Sequence, residues 1–365
     1  MVRASFNNRQ AHFYSALKEE VDGYFKSKNI KPTGNWLLYL KTALFLLATL
    51  SLYVVLVFYT PVWYVALPLC GLLGAVSAFI GFNVMHDGCH GAYSTKKWVN
   101  ETMGYSLNLL GSSSFFWKAK HNLVHHTFTN IDGMDEDIEP IPLLRFAPSQ
   151  PLNFFHKYQH LYGVFLYGFV YLFWVFFADF KKYFSRKVME TPINGFSTRE
   201  HIVFWLSKLI YVFLFMVVPI YNVGFVLFLV GFITMQLVIG MMLAVVFQLA
   251  HVVEKTEFED ATKADLKIEH EWAIHQVRTT ADFATGSPVV SFFLGGLNYQ
   301  VEHHLFPKIS HVHYPDIHPI VVKVCERFDV EINKYPTMVG AVLSHFRMLK
   351  LLGNGATSGN AAKQS

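Results

Sequence analysis

His86-Asp87-Gly88-Cys89-His90, His121-Asn122-Leu123-Val124-His125-His126 and Gln300-Val301-Glu302-His303-His304 decide how this chain is read. Each cluster lies near a long apolar stretch. Histidine is too polar to be a routine membrane residue. Seven imidazoles in three tight groups point to a metal centre at the edge of a bilayer.

Composition supports a membrane setting. Of 365 residues, 53% are hydrophobic and 15% charged, against roughly a quarter charged in soluble domains. The net charge of +4 is too small to argue for nucleic acid, and no basic patch alternates with aromatics. Three scattered cysteines, Cys70, Cys89 and Cys325, fit a reducing compartment better than a disulfide framework. Residues 1–35 have no apolar core and are read as a cytosolic segment, not a signal peptide.

Apolar stretches run at about 36–60, 61–85, 161–178, 202–221 and 223–250. A spanning helix needs roughly 20 apolar residues. The first two form a hairpin around Thr60-Pro61, and the last two another around Tyr221-Asn222. Lys26, Lys28, Lys31, Lys96, Lys97, Lys118, Lys120, Lys181, Lys182, Arg186 and Lys187 all fall on the other side, which the positive-inside bias makes cytosolic. If 161–178 also crossed, the second and third clusters would sit on opposite faces. That stretch is therefore expected to be interfacial, with Tyr162, Tyr167 and Tyr171 at the boundary. The weaker stretch 102–117 is read the same way. The fold class is all-α: a polytopic membrane protein with four spans in two hairpins. A cytosolic helical cap at 252–350 is expected to include helices near 260–277 and 317–330. The membrane domain covers 36–350, and 351–365 is expected to be a disordered tail.

The spacing suits metal. His86 and His90 are four apart and share a helix face, as do His121 and His125. His126 points about 100° away, so one helix could serve two metals. Gln300, His303 and His304 share a face too. His251 ends the last span at the same depth. Neutral imidazole suits iron, copper, zinc or nickel. Eight histidines suffice for two ions, twice what one structural zinc needs. Asp87, Asp135 and Glu302 are the carboxylates placed to orient ligating imidazoles. The rest of the acidic run (Asp132, Glu136, Asp137, Glu139) is equally well read as a solvated loop.

Other histidines are set aside. His156 and His160 repeat the four-residue step in an amphipathic stretch and are read as interfacial. Pro315 and Pro319 are expected to break any helix aligning His311, His313 and His318, leaving surface or substrate-side roles. His12, His201, His270, His275 and His345 stand alone and are assigned structural roles.

At this point the three clusters resemble the histidine boxes of the membrane-bound fatty acid desaturases, over about residues 35–325. Gln300, where many members have histidine, is similar to the front-end branch, which places double bonds between an existing one and the carboxyl end. Trp117-Lys118, the segment from Thr127 to Asp137, and Gly295-Gly296-Leu297-Asn298-Tyr299 agree with it. The resemblance implies iron ligation by His86, His90, His121, His125, His126, His303 and His304, with His251 as the extra histidine of the last span. Gln300 would bind weakly or through water. It implies two irons, dioxygen as co-substrate and an acyl-CoA or acyl-lipid substrate. No His-Pro-Gly-Gly haem motif occurs, so a separate electron donor, ferredoxin or cytochrome b5 with its reductase, is expected. Lys118, Lys120, Arg145 and Lys157 are candidates for the substrate head group, although ordinary positive-inside flanking accounts for them as well. Two rivals are a hydroxylase on the same scaffold, which the Gln300 variant disfavours, and a membrane metal transporter. The transporter predicts a polar path through the spans, which are nearly free of polar residues: Lys41 and Lys208 are the charged exceptions and Gln236 the main uncharged one.

Overall fold

The computed structural model describes residues 4–8, 12–139, 142–193, 195–262 and 265–356. Helices dominate. Among the described residues five are long and apolar enough to cross a membrane: Trp36–Tyr59, Trp63–His90, Phe154–Ser185, Thr198–Val223 and Phe225–His251. Four match the expected spans. The fifth contains the stretch 161–178.

The first hairpin turns at Thr60-Pro61, with Thr60 left-handed at φ 46°. The second turns at Gly224 (φ 82°), three residues beyond the expected Tyr221. Its backbone conformation is open to glycine and costly for the residues before it. Asn35 starts the first long helix by accepting a hydrogen bond from the Leu37 amide. Gly91 (φ 75°) ends the second just past His90. That stop delivers the first histidine cluster at a helix end.

Leu47, Phe58, Leu209 and Val226 are exposed on the outer faces. So are Phe165, Phe169, Phe173 and Phe177, which form one stripe at four-residue spacing. Apolar surface on this scale belongs against hydrocarbon, and the chain is an integral membrane protein. Inside, the Phe154–Ser185 and Phe225–His251 helices touch at backbone level. A Cβ on Gly240 would lie 2.2 Å from the Gly168 carbonyl oxygen.

The region after His251 joins the N-terminal helix His12–Lys28 in a second core. Phe13, Leu17 and Val21 pack with Ile317, Val321 and Val324 of the Tyr314–Arg327 helix. Several expectations shift here. A helix near 260–277 begins only at Trp272. Glu259–Asp260 instead pairs in parallel with Ile131–Asp132, and Leu266–Ile268 with Ala4–Phe6. The strand partners are remote in sequence, so local periodicity carries no sign of them. Pro315 and Pro319 do not break the Tyr314–Arg327 helix. Pro315 sits in the first turn, where its missing N–H is harmless. The last helix, Met338–Gly353, runs past the expected start of the tail at 351, and 357–365 lie outside the described residues. Cys70, Cys89 and Cys325 are free thiols.

Candidate metal centre

The eight box histidines converge. The Trp63–His90 helix delivers His86 and His90, and the Phe225–His251 helix delivers His251. A π-helical turn, Ala119–His125, carries the second cluster, and the short helix Gln300–Leu305 carries His303 and His304. Ligand atoms of His86, His90, His121 and His303 lie within 4.8 Å of one another, as do those of His125, His251 and His304. His126 meets both sets: its ring centroid is 4.6 Å from that of His303 and 4.5 Å from that of His304.

The second cluster sits on a π-turn, hydrogen-bonded to the fifth residue. His121 and His125 stack with ring centroids 5.2 Å apart, and their ligand atoms share a group with Asp137. The wider turn also brings the Nε2 atoms of His121 and His126 to 3.2 Å, so the one segment faces both histidine sets.

Second atoms fix the rings. His125 Nδ1 is 3.0 Å from Asp135 Oδ2, His304 Nδ1 is 2.9 Å from Gln276 Oε1, His251 Nδ1 is 3.3 Å from the Thr279 carbonyl and His303 Nδ1 is 3.2 Å from the Tyr314 hydroxyl. The inward Nε2 atoms of His86, His90, His125, His251, His303 and His304 are buried with no hydrogen-bond partner. Buried polar atoms are ordinarily paired. An inward set of bare imidazole nitrogens, with the outer nitrogens of four of the rings held by oxygen partners, is a donor arrangement that suits a transition metal. Burial, then the neighbouring imidazoles, push His121, His126, His303 and His304 far below the ordinary histidine range. They are neutral and free to ligate. His125 differs: burial lowers it, but the Asp135 carboxylate and Asp137 more than reverse that.

Asp135 thus contacts a clustered histidine. It also accepts the amides of Asn130 and Asp137, which folds the acidic loop under the site. Asp132 is buried as well, held by Ser149 and Gln150, so these members of the run are not solvated. Asp135→Asn should weaken metal binding roughly 10- to 100-fold with the helix content intact, measured by chelator competition.

Asp87 and Glu302 depart from expectation. Neither carboxylate is hydrogen-bonded to a box histidine. Asp87 turns outward to His311 Nδ1 at 3.0 Å and accepts from Ser310. His311 Nε2 in turn meets Lys41 Nζ at 2.9 Å. Glu302 meets His318 Nδ1 at 2.7 Å, beside Asp282. Each carboxylate alternates direction with the adjacent ligand on its helix, so it points away from the centre. The surface roles expected for His311, His313 and His318 give way to these partners. His311 and His313 are buried, and His313 contacts the Thr33 carbonyl.

Gln300 donates its amide to the Leu297 carbonyl. Of the head-group candidates, Lys120 is paired with Asp137 at 2.5 Å. Arg145 is buried and committed to the carbonyls of Gln150, Leu352 and Pro148. Lys157 lies exposed over the Tyr158 ring. Lys118 alone among them lines a cavity that reaches His90. His156 caps a 3-10 turn, and neither it nor His160 joins a ligand group.

Sequence reasoning missed Gln276, Thr279, Tyr314 and Thr129, the neutral groups that aim His304, His251 and His303 or buttress them. They are uncharged neighbours of more conspicuous residues: Gln276 follows His275, Tyr314 follows His313 and Thr129 trails the second cluster. His275, a neighbour on the same helix as Gln276, is buried with its pKa pushed down to about 4, chiefly by burial. An unfolded histidine titrates near about 6.5. Its folded pKa is depressed, so the stabilisation is complete above about 6.5 and is lost as pH falls toward about 4, on the order of 3 kcal/mol. His275→Gln should flatten the fall in thermal stability between those pH values.

Comparison with known proteins agrees with this geometry. Residues 61–336 match the fatty acid desaturase family. The chain is 38% identical over 340 residues to the sn-1 linoleoyl-lipid 6-desaturase of Arthrospira platensis, covering 93% of this chain and 92% of that protein. It is 39% identical over 345 residues to the acyl-lipid (8-3)-desaturase of Physcomitrium patens, covering 93% and 72%. It is 30% identical over 357 residues to the delta(5) fatty acid desaturase A of Dictyostelium discoideum, covering 95% and 76%. Three histidine clusters carried by separate segments, a buried set of bare imidazole nitrogens and matches spanning most of the chain lead to one conclusion: this membrane protein belongs to the fatty acid desaturase family and is an oxidoreductase of that kind.

Proposed function

We propose that the protein is a front-end acyl-lipid desaturase with two irons, one held by His86, His90, His121 and His303 and the other by His125, His251 and His304, with His126 between them. The carrying observation is the set of six buried, unpartnered Nε2 atoms pointing at one another. All-nitrogen donors in two groups fit iron and fit neither magnesium nor calcium. Gln300 stays a weak or water-mediated contributor. The relatives' names, which specify 6-, (8-3)- and delta(5)-desaturation, favour an acyl-lipid substrate and desaturation near the carboxyl end over hydroxylation.

Bound iron, with dioxygen as co-substrate, would supply the oxidising power to remove two hydrogens from an unactivated methylene pair. The protein's own part is positional. Asp135, Gln276, Thr279 and Tyr314 hold the outer nitrogens of the rings. The burial of all eight rings keeps bulk water from the site. Electrons are assigned to a separate donor, ferredoxin or cytochrome b5.

Four spans with the centre on the cytosolic face is the topology that suits this reading. Both ends of the Phe154–Ser185 helix meet segments beside the site. Gln159 donates to the Leu349 and Arg145 carbonyls, and Lys182 pairs with Glu136 at 2.5 Å. A helix tied to the site side at both ends supports an interfacial course, its phenylalanine stripe toward lipid.

The test is fatty-acid profiling after expression, with an electron donor, in a host lacking polyunsaturated products. A new cis double bond on the carboxyl side of an existing one is expected. A hydroxylated product, or none from any supplied acyl lipid, would overturn the reading.

A further inference from the structure

A second cavity stands outside the histidine cluster. It has a volume of about 420 Å³ and is lined by Gly88, His90, Ser94, Asn100, Lys118 and Arg199, among others. His90 is the most exposed of the eight clustered histidines at 9%, the others being at 5% or less. The wall is built. Asn100 accepts from the Ser94 amide and donates to the Ser94 and Gly91 carbonyls, fixing the loop that follows His90. At the rim Arg199 is engaged by Glu101 at 3.2 Å and the Tyr105 hydroxyl. Lys118 is different: among the described residues it forms no ion pair, whereas the nearby Lys97 and Lys120 do. An uncommitted ammonium therefore faces a polar chamber whose inner wall is a clustered histidine.

The apolar cavity between the hairpins does not compete for this role. It is lined by Tyr53, Cys70, Phe215 and Phe232. Cys70 precedes His90 by 20 residues on one continuous helix, roughly 30 Å away.

We propose that the cavity beside His90 holds the ester end of the acyl chain, with Lys118 meeting a phosphate of its head group. The inference deepens the front-end reading and rests on it. A double bond at the fifth or sixth carbon leaves only four or five carbon–carbon bonds, each about 1.5 Å, between it and the carbonyl. The ester must then sit within a few ångströms of the metal ligands. A polar chamber in contact with His90 meets that demand, whereas a distant surface patch would not. Lys binds phosphate as a point charge, so one ammonium serves without a shaped fork.

The test uses full-length protein in detergent and a phosphatidylcholine carrying a photoreactive group in its head. Cross-links on peptides within 88–118 are expected, and this needs no turnover. Lys118→Gln should raise KM for the phospholipid about tenfold, with kcat and iron content unchanged. Lys157→Gln, exposed and outside the cavity, should leave KM alone. A neutral galactolipid should lose little on Lys118→Gln. A KM rise confined to acyl-CoA supports the same phosphate contact and names the carrier. Cross-links mapping outside the cavity, or an unchanged KM for every phosphate-bearing substrate, would overturn the proposal. A protein that cross-links at 88–118 but yields no double bond would instead count against the front-end reading.

Discussion

His303→Ala should reduce double-bond formation by more than about a thousandfold and lower the bound metal, while the protein still folds and inserts. His303 touches rings of both ligand sets. Its centroid is 4.5 Å from His86, 5.0 Å from His90 and 4.6 Å from His126, and its ligand atom belongs to two of the possible metal groups. Removing it takes a donor from one group and loosens the other. A metal centre that supplies the oxidising step contributes many kcal/mol to a slow reaction, and each 1.36 kcal/mol is tenfold in rate. Product analysis by gas chromatography reads the activity, and metal analysis on the same sample reads the site. Exogenous imidazole restoring part of the activity would strengthen the assignment.

Lys208→Met should be among the most destabilising single changes in the membrane domain, costing about 3–5 kcal/mol. Lys208 is one of the two cations inside the apolar spans. Its ammonium lies 2.9 Å from Asp179 and donates to the Gly111 and Val175 carbonyls. Asp179, fully buried, also accepts from the Ser112 hydroxyl and the Ser113 amide. The pair thus joins the Thr198–Val223 helix, the Phe154–Ser185 helix and the bend that precedes the second histidine cluster. Methionine fills the volume but leaves Asp179 buried and unpaired. The double variant Lys208→Met, Asp179→Leu removes both charges and should recover much of the loss. Thermal unfolding in detergent, followed by the fluorescence of a conformational reporter or by light scattering, distinguishes the three proteins. A single variant as stable as the parent would show that the pair carries little.

That pair also marks where the sequence stopped being informative. Lys41 and Lys208 stood out as polar interruptions, but their partners His311 and Asp179 lie 270 and 29 residues away. No local pattern names them. The hairpins were legible because their apolar length is set by bilayer thickness. The clusters were legible because histidine is costly in that setting. His251 followed from its place at a helix end, and Asp135 from its nearness to the second cluster. The direction of Asp87 and Glu302 was not legible, since both sit beside ligands and only the helix phase turns them outward. Nor was the π-turn at Ala119–His125, which adds His126 to the neighbours of His121. The helix expected from 260 shared the same weakness. Leu266–Ile268 pairs with Ala4–Phe6, and a contact between segments so remote in sequence leaves no periodicity behind. Gln276 and Tyr314 escaped notice because neutral orienting groups look like any other polar residue.

The proposed activity needs a two-iron centre made by eight histidines. Iron quantification on purified, folded protein, combined with protein concentration by amino-acid analysis, reads that centre without turnover. About two irons per chain are expected, with fewer in His303→Ala. An active preparation holding one zinc per chain, or no transition metal, would contradict it.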